Sequence, residues 1–194
     1  MKKPDYYSRK AKEDHFAARS VYKLEEIQKK YKILKSKMRV IDLGCSPGSW
    51  SQYTHKIIGE KGFLLGIDLK EMHFNLGSSV KFIQQDIFNV DFTELLNQYG
   101  EFDGLISDMA PSTSGNKDRD HYASMELCEQ AFLFTSNLVK EGGFFVCKMF
   151  DGEDSPDFIK KLRNYFTFFK PLRPKATKKK SREVFLIGTG FKKT

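Results

Sequence analysis

Apolar residues in this chain fall in short runs of four to six positions, and most runs are followed at once, or within two residues, by a charged side chain. Val40 to Leu43, Gly62 to Ile67, Val80 to Gln84, Phe102 to Ser107 and Phe144 to Cys147 have the β-branched, aliphatic and aromatic content of buried strands. Between them lie segments with helical spacing: Trp50 to Ile58, stopped by Gly59, then Asp91 to Tyr99, then a long one over Tyr122 to Leu138. Upstream, Ser20 is placed to cap a helix reaching Lys29, with Val21, Leu24 and Ile27 on one face and Lys23 beside that face. Downstream, Pro156 to Arg163 reads as a helix, and Tyr165 to Phe169 with Glu183 to Thr189 as a closing strand pair. Met109 to Asp120 and Lys170 to Arg182 are too polar for core and read as loops, and residues 1–18 read as a mobile basic arm.

This alternation predicts a single α/β domain over residues 19–194, a Rossmann-like, mostly parallel seven-stranded sheet with helices on both faces. The last strand follows its neighbour with no helix between, so it should be the one antiparallel strand, because a parallel pair needs a longer crossover. A length of 194 residues with 40% hydrophobic content suits one domain with a short extension.

Charge adds a partner class. A formal net charge of +8 favours a polyanion, with affinity that falls as salt rises. The arm Lys2 to Lys12 and the loop Lys170 to Arg182, with Lys175, Lys178, Lys179 and Lys180, are the stretches expected to hold RNA. The cysteines Cys45, Cys128 and Cys147 are odd in number and form no C-x-x-C or Cys/His cluster, so neither disulfides nor a metal site is expected. The N-terminus carries both charge signs without an apolar stretch, and no apolar run is long enough to span a membrane. A soluble, cytoplasmic monomer is the expectation.

The most informative stretch is Val40 to Trp50, which reads as a strand, a tight loop with Gly44 and Gly48, and the start of a helix. It lacks the G-x-G-x-x-G fingerprint of dehydrogenases and the G-K-[ST] of a phosphate loop. The D-x-G-x-x-x-G form that remains is the one used by methyltransferases that take S-adenosylmethionine. Asp42, Asp68, Asp86, Asp108 and Lys148 each fall at or just past the carboxyl end of a successive strand, the edge where such sheets bind ligands. An antiparallel last strand would start on that same edge and add Glu183, and the Ser20 helix could add Lys23 from the side. Asp68 suits a ribose diol, Asp86 an adenine amino group, and Asp108 the methionine part and its cationic sulfur.

The acceptor can be narrowed in the same way. Methylation of base amino groups uses [DN]-P-P-[YFW] after the fourth strand, where this chain has Asp108-Met109-Ala110-Pro111. Pyrimidine C5 methylation needs a nucleophilic cysteine, and Cys128 and Cys147 fall inside a helix and a strand. A hydroxyl acceptor is left. It needs a base, and Lys148 is the candidate that follows a strand at this edge.

Lys23 in Ser-Val-Tyr-Lys-Leu, Asp108 in Ser-Asp-Met-Ala-Pro, Lys148 in Val-Cys-Lys-Met-Phe and Glu183 in Ser-Arg-Glu-Val-Phe resemble the K-D-K-E catalytic tetrad of the FtsJ/RrmJ family, bacterial heat-shock type. The resemblance runs from about Ala18 to Lys192. It implies methylation of a uridine ribose 2′-hydroxyl in large-subunit (23S) rRNA, within the assembled particle, with S-adenosylmethionine contacts on Gly48, Trp50, Asp68, Asp86 and Asp108. Where that family has Ala-Ala-Pro-Gly-Gly-Trp, this chain has Cys45-Ser46-Pro47-Gly48-Ser49-Trp50, a bulkier loop. Relatives with the same tetrad act on tRNA or mRNA caps, and a non-catalytic RNA-binding assembly factor is the alternative outside enzymes.

Overall fold

The computed structural model of the chain describes residues 5–72, 75–178 and 180–193. In chain order its elements are α1 (Tyr6–Glu13), α2 (Val21–Tyr31), β1 (Arg39–Leu43), α3 (Ser49–Ile58), β2 (Phe63–Asp68), β3 (Val80–Gln84), a 3-10 turn (Ile87–Asn89), α4 (Phe92–Tyr99), β4 (Phe102–Ser107), α5 (Lys117–Leu138), β5 (Val139–Phe150), α6 (Ser155–Arg163), β6 (Phe166–Leu172) and β7 (Glu183–Phe191). One seven-stranded sheet runs in the order β3-β2-β1-β4-β5-β7-β6. β7 lies antiparallel to both its neighbours, and the other recorded pairings are parallel, as the hairpin argument requires. The order reverses between β1 and β4, so a crevice opens beyond the carboxyl ends of those strands.

Both faces of the sheet are covered, which is why its strands read as unbroken apolar runs. Successive residues alternate between two cores: Ile41, Leu65, Leu105, Phe145 and Leu186 face α4, α5 and α6, whereas Val40, Leu64, Ile106, Val146 and Ile187 face α2 and α3. Phe134 and Phe145 on the first side and Phe185 on the second are fully buried, each worth about 1.5–3 kcal/mol of transfer free energy. Among the described residues, no helix is long and apolar enough to cross a membrane.

Several expectations are corrected. Helix α5 starts at Lys117, inside the stretch read as loop, because the Asn116 side chain accepts the Asp118 and Arg119 N–H groups and Asp118 and Asp120 complement the helix dipole. Ser20 does not cap α2: its backbone is already helical, and its hydroxyl lies 3.0 Å from that of Ser49 instead. β5 begins right after α5 and runs to Phe150, so Lys148 lies within the strand and not beyond it. Lys170 belongs to β6, which shortens the basic loop.

The N-terminal arm is the largest correction. Lys2 and Lys3 lie outside the described residues, as does Lys179, but Tyr6–Glu13 is a helix, capped by the Asp5 side chain on the Ser8 N–H. Its Ala11 is buried against Val21, Tyr22 and Ala176, with Tyr7 packed alongside. Arg19 pairs with Asp5 and donates to the Ala176 carbonyl at 2.6 Å, and Glu26 accepts the Lys175 N–H at 2.7 Å, so helix and basic loop are fastened to α2 together. Tyr7 and Ala11, four apart, form an apolar stripe that the surrounding charges obscure in the sequence.

Replacing Ala11 by Glu should put an unpaired charge into this seam and release α1. Trypsin should then cut after Lys10 and Lys12 several-fold faster, with the main thermal transition little changed. Equal cleavage rates in the two proteins would show that α1 is not held by this contact.

Candidate active site

The crevice between β1 and β4 holds a cleft of about 400 Å³, lined among others by Asp68, Asp86, Asp108, Leu69, Phe88 and Met109. Its floor depends on a close backbone approach. Gly44 has φ +71°, and a Cβ there would sit 2.4 Å from Met109 Cγ, so only glycine lets the loop after β1 pass under the loop after β4. Asp68 fixes the next turn, accepting the Ser46 N–H at 2.9 Å and the Lys70 N–H at 2.8 Å. Asp86 caps the 3-10 turn through the Phe88 N–H at 3.0 Å and still faces the cleft.

Two other expected cofactor contacts behave differently. Gly48, at φ +107°, opens α3, whose first internal bond is Gln52 N–H to the Gly48 carbonyl. The N–H groups of Ser49, Trp50 and Ser51 therefore have no partner within the helix. The Trp50 side chain is committed elsewhere: only 2% exposed, it donates Nε1–H to the Ser20 carbonyl and stacks on Phe185 at 5.7 Å. Any contact Trp50 makes with a ligand has to come from its backbone.

At the end of the cleft the tetrad residues converge from four elements. Lys148 Nζ donates to the Asp108 carbonyl oxygen at 2.6 Å and lies 3.2 Å from Asp108 Oδ1. Lys23 Nζ lies 3.5 Å from that same Oδ1 and 2.8 Å from Glu183 Oε2. Both lysines are buried, at 8% and 5% exposed, so a single carboxylate oxygen faces two amines with little water between. Burial pushes the Glu183 carboxyl up, but the charge and hydrogen bond of Lys23 outweigh it and hold the group below its ordinary range. Phe185 supports the group from below, with Lys23 Nζ 5.5 Å from its ring. Phe185, Leu69, Phe88 and Met109 were not singled out in the sequence. Leu69 and Phe88 carry a signal in retrospect, since they follow the strand-end acids and remain exposed at 66% and 54%.

Asp42 joins the site only indirectly. It sits inside β1, 1% exposed, takes the Ser51 hydroxyl at 2.6 Å and does not line the cleft. Burial pushes its carboxyl up to about 7; the Ser51 hydrogen bond opposes this, and the charges of Asp108 and Asp68 add to it. Cys128 and Cys147 are buried and unavailable as nucleophiles, and burial holds the Cys128 thiol in its protonated form.

Known proteins resemble this chain along nearly its whole length. A family model described as FtsJ-like methyltransferase matches residues 16–191. Ribosomal RNA large subunit methyltransferase E of Desulfatibacillum aliphaticivorans is 45% identical over 185 residues, covering 95% of this chain and 89% of that protein. The Bdellovibrio bacteriovorus protein of the same name is 44% identical over 191 residues, covering 97% of each chain. Among solved structures, a Plasmodium falciparum protein described as a ribosomal RNA methyltransferase superposes with a TM-score of 0.77 at 31% identity, over 91% of this chain and 98% of that one.

The raised Asp42 carboxyl has a consequence for stability. Its folded form holds a proton that an unfolded aspartate, with a pKa of about 3.9, releases. Its contribution is therefore complete in acid and lost as pH rises from about 4 to 7. Asp42→Asn keeps an acceptor for Ser51 and never ionises, so its gain in melting temperature over the parent should widen from pH 5 to pH 8. A gap that is constant across that range would contradict the assignment.

Proposed function

The chain belongs to the FtsJ-like methyltransferase family, and on that premise we propose that it uses S-adenosylmethionine to methylate the 2′-hydroxyl of a uridine ribose in the ribosomal RNA of the large subunit. The observation that carries the proposal is the sharing of one Asp108 oxygen by Lys148 and Lys23 at the end of a nucleoside-sized cleft that Asp108 lines, with Glu183 beside them. The substrate class follows the names of the relatives at 44–45% identity.

The residues present fit S-adenosylmethionine. Asp68 has lone pairs left for a ribose diol, Asp86 lies where an adenine amino group would be read, and Leu69 and Phe88 offer apolar walls for the ring. Gly48 and Trp50 are buried and do not line the cleft, so they would contact the amino-acid carboxylate through the first-turn N–H groups of α3 that have no partner within the helix. When bound, this cofactor supplies a methyl group on a cationic sulfur. The protein's own part is to hold the acceptor in line and take its proton. Lys148 serves as the general base for the 2′-hydroxyl, Asp108 orients Lys148 and adds negative charge near the sulfonium, and Lys23 with Glu183 fixes Asp108 in turn.

RNA has a basic surface next to this edge. Lys175, Lys178 and Lys180 lie on the loop fastened to α1 and α2, and Tyr6, Tyr7, Lys10 and Lys29 line a second hollow with Lys175, which also takes in Glu25 and Glu26. Amine and aromatic groups interleaved in this way hold phosphates and stack on unpaired bases.

Two measurements test the reading. Asp68→Ala removes charge-assisted hydrogen bonds worth about 1.5–3 kcal/mol each, so calorimetry should show S-adenosylmethionine binding weakened at least tenfold; unchanged affinity would put the cofactor elsewhere. Lys148→Ala and Lys148→Arg should bind the cofactor normally yet lose on the order of 10²–10⁴ in methyl transfer, because arginine stays protonated in a protein. Near-parental turnover by the arginine variant would rule out the base.

A further inference from the structure

β5 outruns one of its neighbours. It pairs with β4 as far as Ser107↔Cys147, where β4 ends, but it continues through Lys148 and Met149 to Phe150, and among the described residues its strand partner over that span is β7 alone, ending at Phe150↔Glu183. A strand that overhangs in this way exposes a row of N–H and C=O groups on one side, and in a buried place they need partners. Lys148 is the first residue of the overhang.

The partners are side chains of α5. Cys128 Sγ lies 3.0 Å from the Lys148 carbonyl, Ser124 Oγ accepts the Phe150 N–H at 2.8 Å, and His121 Nδ1 lies 2.7 Å from the Phe150 carbonyl. A carbonyl only accepts, so His121 carries its proton on Nδ1. These residues stand three and four positions apart, on one helix face, and are 3%, 1% and 0% exposed in chain order. The face continues into Ala131, Phe134 and Leu138 of the core, where polar side chains are costly unless each finds a match. Here each finds one on the overhang. Cys147 Sγ, 3.4 Å from Cys128 Sγ, completes the chain of contacts, and the buried Cys128 thiol keeps the proton it donates. Gly152 fits the same plan: a Cβ there would sit 2.5 Å from His121 Cγ, so glycine after the strand leaves room for the ring.

We propose that this face of α5 acts as a substitute for the missing length of β4, and that His121, Ser124 and Cys128 are positioning residues for methyl transfer. They clamp the backbone of Lys148 and of Phe150, and because Phe150 pairs with Glu183, the clamp sets two members of the tetrad relative to Asp108. None of the three reaches the reacting atoms. Their effect passes through the position of the Lys148 amine, where a displacement of 1 Å costs on the order of 100-fold in rate.

The inference rests on Lys148 as the base, and its test separates the two. Ser124→Ala, Cys128→Ala, their double variant and the conservative Cys128→Ser and Ser124→Thr would be compared for kcat, KM, cofactor Kd, melting temperature and Phe150 amide exchange. The double variant should exchange the Phe150 amide faster and lose on the order of 10- to 100-fold in kcat, with KM and cofactor Kd within about twofold. Cys128→Ser, which puts a hydroxyl donor in place of the thiol, and Ser124→Thr, which keeps the hydroxyl acceptor, should recover most of the rate. Faster exchange with parental kcat, while Lys148→Arg is inactive, would overturn the positioning role and leave the base intact. An equal loss of kcat and cofactor affinity would also overturn it, as general damage. Activity in Lys148→Arg would overturn the underlying reading.

Discussion

The site turns on one shared oxygen. Asp108 Oδ1 is the point where Lys23 and Lys148 meet, and both lysines are nearly removed from water. Two amines this close and this buried need an acceptor between them, since a buried polar group left without a partner is costly. Glu183 on the far side of Lys23 completes an alternating row of charges. That row depends on the sheet order, because only a sheet with β4, β5 and β7 side by side brings Asp108, Lys148 and Glu183 together with Lys23 of α2 above them.

The cleft next to it has the opposite character. Asp68, Asp86 and Asp108 line it, so the protein concentrates negative charge where a cationic cofactor would sit and positive charge where a polyanion would approach. The separation is built from strand ends on one side and from α1, α2 and the loop after β6 on the other. A net charge of +8 therefore conceals an acidic pocket, which composition alone does not reveal.

Much of this was legible in the residues. Strands buried on both faces need apolar side chains at every position, so they stood out, and three of the acids that follow them, Asp68, Asp86 and Asp108, do line one cleft. What escaped was decided by tertiary contacts. The helix Tyr6–Glu13 exists because Ala11 meets Tyr22 and Ala176, which are remote in sequence. Ser20 looked like a cap, but its hydroxyl is taken by Ser49, and the Trp50 ring is spent on Phe185 and Ser20. Lys148 lies inside a strand because β7 carries β5 past the end of β4, a length set by pairing and invisible in the periodicity of either strand.

The central claim is that this arrangement of charges serves a ribose hydroxyl. The most direct measurement is to incubate the protein with labelled S-adenosylmethionine and large ribosomal subunits lacking the modification, digest the RNA to nucleosides and identify the labelled product by mass spectrometry. The account predicts a single labelled nucleoside, 2′-O-methyluridine. Label on a base, or no label on any nucleoside with cofactor bound and the protein folded, would contradict it.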